Sequence, residues 1–66
     1  MLMQVNGEKR AVEKGCSLLD LILDLGLKAE VTVAERNGKI VPAAAYGETV
    51  LGDGDEIELV RIVGGG

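Results

Sequence analysis

Few residues in this 66-residue chain are equipped for chemistry, and the most distinctive of them come last: Val63-Gly64-Gly65-Gly66. Two readings fit three terminal glycines. One is an unordered end, because glycine packs nothing and loses the most entropy on ordering. The other is a thread: three residues at up to ~3.6 Å each reach roughly 10 Å, thin enough to enter a narrow cleft in another protein. Such a thread delivers one group, the α-carboxylate of Gly66. A carboxylate is a poor electrophile at neutral pH, since attack would have to expel oxide from an anion. It becomes reactive once activated, for example as a mixed anhydride with AMP. The chain has no phosphate-cradling loop, and the acidic turn Gly52-Asp53-Gly54-Asp55 repels phosphate. Activation therefore falls to another protein, and the chain reads as a carrier or substrate rather than an enzyme. No catalytic residue is assigned.

Two other clusters carry weaker signals. Cys16 stands before an expected helix, where a thiol can have a lowered pKa; the plainer reading is a small, partly buried residue. Asp53, Asp55, Glu56 and Glu58 have alternating spacing like the start of a calcium loop, but lack its helical flanks and bidentate glutamate. They read as a solvated turn and strand face, and no metal site is expected.

Composition narrows the function classes. With no His and one Cys, the chain has no Cys/His metal cluster, no His-based triad and no internal disulfide. Seven Lys+Arg against eleven Asp+Glu, with Tyr46 the only aromatic, argue against nucleic-acid binding. The longest apolar helical run, Leu18 to Leu27, carries Asp20 and Asp24 and is far short of the ~20 residues that span a bilayer. No basic, apolar signal segment opens the chain. No membrane association is expected, and the location expected is cytoplasmic.

The elements that must position the tail follow from pattern. Asn6-Gly7 and Asn37-Gly38 are two-residue hairpin signals. The first joins a strand with Met1, Met3 and Val5 on one face to a polar edge strand of about Glu8 to Glu13. The second joins Val31–Arg36 to Lys39-Ile40-Val41, where Pro42 stops pairing. Between the hairpins, Ser17 N-caps a helix of about nine residues. Asp20 resembles the partner in a capping box, Leu18, Leu21, Ile22 and Leu25 form the core face, and Gly26 ends it. Leu19 and Leu23 lie at the margin of that face. Ala43 to Thr49 reads as a loop, followed by Val50 and Leu51 as buried residues. Glu56 to Ile62 alternates as a last strand, with Ile57 and Leu59 on one face and Val60 and Ile62 on the other. One helix cannot cover both faces of such a sheet, so an α+β arrangement with one wet face follows. Val60, Ile62 and Val63 then form an apolar strip beside the tail, either a partner-docking surface or an ordinary packed second face.

Together these stretches resemble the ThiS family of thiamin-biosynthesis sulfur carriers, small ubiquitin-like β-grasp proteins. The resemblance rests on Asn6-Gly7-Glu8 and on Gly15-Cys16-Ser17-Leu18-Leu19-Asp20-Leu21-Ile22, close to the family's Gly-x-Thr-Val-x-Asp-Leu-Leu. It continues through Glu35-Arg36-Asn37-Gly38-Lys39-Ile40-Val41-Pro42, Asp53-Gly54-Asp55-Glu56-Ile57-Glu58-Leu59-Val60 and Val63-Gly64-Gly65-Gly66. Leu19 and Leu23 depart from the small or charged residues frequent in relatives. The resemblance implies a β-grasp domain over residues 1–62, a mixed four- to five-stranded sheet curled around one helix, and a flexible glycine tail over 63–66. It also implies partners. A ubiquitin-activating-type (ThiF-like) enzyme uses ATP to adenylate the Gly66 carboxylate. Sulfur from a cysteine-desulfurase route replaces AMP to give a thiocarboxylate, and a ThiG-like thiazole synthase takes that sulfur. Gly64 and Gly65 serve as threading residues, and the chain itself binds no cofactor. Two alternatives share the tail: a MoaD-like carrier of molybdopterin synthesis and a ubiquitin-like protein modifier.

Overall fold

Asn6 and Asn37 take φ values of 51° and 52°, and Gly7 and Gly38 follow at 81° and 83°. Left-handed φ at both central residues is what a type I′ turn requires, and its twist matches that of the strands it joins. The first turn closes β1 (Leu2–Val5) onto β2 (Glu8–Ala11), and the second closes β3 (Thr32–Arg36) onto β4 (Lys39–Val41). The computed structural model describes residues 1–62. Everything expected of Val63, Gly64, Gly65 and Gly66 lies outside the described residues.

The last strand, β5 (Glu56–Arg61), enters between the hairpins, parallel to β1 and antiparallel to β3. The sheet order is β2-β1-β5-β3-β4, a mixed five-stranded sheet with the polar β2 at one edge, as its charges require. Helix α1 (Leu18–Asp24) packs on one face. Met3, Val5, Ala34, Ile57 and Leu59 come from the sheet to meet Leu18, Leu21 and Ile22, with Tyr46 and Leu51 closing the core. Full burial of an aliphatic side chain is worth about 1.5–3 kcal/mol, so the three helix residues are the main hold on α1.

The ends of α1 form as local sequence dictates. The Ser17 hydroxyl accepts the Asp20 N–H at 3.0 Å, and the Asp20 carboxylate accepts the Ser17 N–H at 3.0 Å, a complete capping box. Gly26, at φ 75°, donates to the Leu23 carbonyl while Leu27 donates to that of Ile22, the paired bonds of a Schellman ending.

Several expectations need correction. The helix has seven residues rather than about nine, and Leu25 is half-buried. β2 stops at Ala11 rather than running to Glu13, and β3 starts at Thr32 because Ala29–Val31 is a 3-10 turn. A second 3-10 turn, Ala43–Ala45, occupies the expected loop and delivers Tyr46 to the core. Val50 is exposed rather than buried. It forms an isolated bridge with Ser17, and the Thr49 carbonyl beside it accepts the first helical N–H, from Leu18, at 2.8 Å.

Candidate functional site

β5 is the element that leads toward the glycines, and it is secured along both edges. On the β3 side the pairing runs from Arg36↔Ile57 to Thr32↔Arg61, and the Ile62 N–H then donates to the Val31 carbonyl at 2.7 Å. On the β1 side regular pairing covers only Gln4↔Glu56 and Val5↔Ile57. Where β1 turns away, the Asn6 side chain takes over: its Oδ1 accepts the Leu59 N–H at 2.8 Å. Asn37 does the same near the start of β5, where its Oδ1 accepts the Glu56 N–H at 2.9 Å and its own N–H donates to the Glu56 carbonyl at 2.8 Å. Each turn asparagine thus serves twice, in its left-handed backbone and as a latch on β5. Sequence reasoning found only the first use. The second depends on which strand lies next to the turn.

Asp55, expected in a solvated turn, is buried. Its carboxylate accepts the Gly52 N–H at 2.7 Å, the Arg36 Nε–H at 2.9 Å and an Asn37 Nδ2–H at 3.1 Å. Burial pushes the carboxyl pKa up. The hydrogen bonds from Gly52, Asn37 and Arg36, with the Arg36 charge, outweigh it and hold the group below its ordinary value. This ion pair ties the turn before β5 to the end of β3. Its role is to place β5, and three protein donors already occupy the Asp55 carboxylate. Among the described residues no group of three or more His, Cys, Asp or Glu side chains could hold a metal ion.

The outer face of the sheet carries the expected apolar strip. Val60 and Ile62 are 56% and 52% exposed, while Ile57 and Leu59 are buried on the other side of the strand. Register adds neighbours that the sequence did not single out. Val33 lies directly across from Val60, Ile40 across from Glu35, and Leu2 shares this face on β1 by its parity with Gln4. Glu35 and Glu58 also stand directly opposite one another, an unfavourable like-charge pair beside the strip. Val63 lies outside the described residues.

Cys16 is half-buried, and its Sγ–H donates to the Ser17 carbonyl at 3.3 Å. Burial raises its pKa, and Asp20, Asp24 and Glu13 raise it further. A thiol kept protonated in this way is a poor nucleophile. The helix it precedes has a carboxylate in its first turn, which cancels the field that would favour a thiolate. No helix among the described residues is long and apolar enough to cross a membrane.

The model of the ThiS family matches residues 3–66. The chain belongs to the ThiS family. The sulfur carrier protein ThiS of Bacillus subtilis is 35% identical over 66 residues, covering 98% of this chain and 100% of that one. A thiazole synthase of Magnetococcus marinus is 39% identical over 66 residues, covering 100% of this chain and 20% of the relative, so the chain spans about a fifth of that enzyme's length. The crystal structure of a thiamine biosynthesis protein (ThiS) from Geobacter metallireducens superposes with a TM-score of 0.85 at 30% identity, covering 100% of both chains. The mixed sheet and single helix are the β-grasp architecture of these ThiS structures. Membership thus sets the chain beside a protein named as a sulfur carrier and one named for thiamine biosynthesis.

Proposed function

We propose that this chain carries sulfur on the α-carboxylate of Gly66 for formation of the thiamin thiazole. A partner adenylating enzyme of the ThiF-like class binds ATP, and a Gly66 oxygen attacks the α-phosphorus, releasing pyrophosphate and leaving an acyl adenylate. A persulfide from a cysteine-desulfurase route attacks the acyl carbon and AMP leaves with the bonding pair, giving an acyl disulfide. A thiol then attacks the outer sulfur, the S–S bond breaks, and a thiocarboxylate remains with the thiol oxidised to a disulfide. A thiazole synthase then accepts the sulfur. Gly64 and Gly65 have no side chains to obstruct entry into the partner's cleft. The chain contributes no catalytic group and binds no cofactor of its own.

The observation that carries this reading is the family match itself, which runs through Gly66 and so includes the glycines. The choice of thiazole synthase as sulfur acceptor is supported by relatives bearing that name in which a segment like this chain is part of a longer polypeptide. Val60 and Ile62 form the docking strip, and the partner surface that suits it is apolar with basic residues placed to meet Glu35 and Glu58; Val63, expected to extend it, lies outside the described residues.

Incubation of the chain with a ThiF-like enzyme, ATP and a sulfur donor tests the chemistry. Intact mass is expected to show exchange of one oxygen for sulfur, mapped by fragmentation to Gly66. The same chain amidated at Gly66 is expected to remain unmodified. Sulfur incorporation into the amidated chain would overturn the assignment.

A further inference from the structure

Asn-Gly is the dipeptide most open to intramolecular attack, because glycine leaves the following main-chain nitrogen unhindered. That nitrogen, after losing its proton to solvent, adds to the asparagine Cγ. The Cγ–Nδ2 bond breaks, ammonia leaves, and a five-membered succinimide remains. Water then opens either ring carbonyl, giving aspartate or an isoaspartate whose main chain is longer by one methylene. The net change is one water consumed and one ammonia released, with no oxidant and no enzyme.

This chain presents the dipeptide twice, in turns of matching backbone and similar exposure. The side chains differ. Among the described residues the Asn6 side chain has one hydrogen bond, at Oδ1 from the Leu59 N–H, and none ties Nδ2. Asn37 is held at both ends, at Oδ1 by the Glu56 N–H and at Nδ2 by the Asp55 carboxylate. For Cγ to reach the glycine nitrogen the side chain must leave its place. At Asn37 that motion also breaks a charge-assisted bond and strips a partner from buried Asp55.

We propose that Asn6-Gly7 is a site of spontaneous deamidation in the folded domain, and that Asn37-Gly38 is kept intact by its second hydrogen bond. The products differ in consequence as well. An aspartate at position 6 still offers an oxygen to the Leu59 N–H. At position 37 a carboxylate replaces the Nδ2 donor 3.1 Å from Asp55 Oδ1, setting two anions where donor met acceptor. The fold therefore shields the copy whose conversion does more damage. This inference does not depend on the sulfur-carrier reading.

A time course of the folded chain at mildly alkaline pH, with peptide mass mapping, tests it. Asn6 is expected to lose ammonia about tenfold faster than Asn37, the factor supplied by one charge-assisted hydrogen bond. In urea the two rates are expected to converge. Equal loss in the folded chain, or faster loss at Asn37, overturns the assignment. Asn37→Asp is expected to lower Tm more than Asn6→Asp, and equal shifts would overturn the proposed difference in damage.

Discussion

Asp55 is the one carboxylate buried among the described residues, and its three donors make it a reporter of the β3–β5 junction. Its pKa is depressed in the folded state, so the stability it contributes is complete above the unfolded carboxylate value of about 3.9. That contribution is lost as pH falls from there through the lower folded value. Urea unfolding across this range is expected to show stability falling with pH, with a shallower fall in Asp55→Asn. At neutral pH the same variant is expected to be less stable by about 1–3 kcal/mol, since Arg36 loses its charged acceptor. The sequence marked Asp55 as part of an acidic turn. One donor, Gly52, is local, but the partners that set it apart from exposed Asp53, Arg36 and Asn37, are 19 and 18 residues away.

Helix α1 has seven residues, well under the roughly 12–15 at which an isolated helix becomes marginal in water. It persists because both ends are capped and one side is buried. Ser17→Ala removes one arm of the capping box and is expected to cost about 0.5–2 kcal/mol. Ile22→Ala opens a void under the sheet and is expected to cost about 2–5 kcal/mol, both read by urea unfolding. A cap variant costlier than the core variant would mean that the helix is held by its ends rather than its face. The caps were legible in the sequence because each spans only a few residues. The segment from Ala43 to Thr49 was not, since Tyr46 is buried by contacts far along the chain and donates its hydroxyl to the Thr32 carbonyl at 2.6 Å.

At the scale of the molecule, the two sides of the sheet are unlike. Val60 and Val50 are exposed to the same degree, 56% and 57%, yet one lies on the outer face of β5 and the other beside the helix N-terminus. Exposure alone would make them equivalent; location does not. If the outer face docks the adenylating partner, Val60→Asp lowers the adenylation rate about tenfold or more, while Val50→Asp leaves it near wild type. Equal effects, with both variants folded by circular dichroism, would count against docking through this face.

Short-range physics was already written in the order of residues: two left-handed Asn-Gly turns, a capped amphipathic helix and an alternating last strand. Each of these depends on neighbours a few positions apart, so spacing alone determined it. Tertiary structure decided the rest. It placed β5 between β1 and β3, gave the turn asparagines their latches on it, drew Asp55 and Tyr46 inward and left Val50 outside. Those outcomes depend on which distant strands become neighbours and whether a polar group finds a donor there, and no local period encodes either.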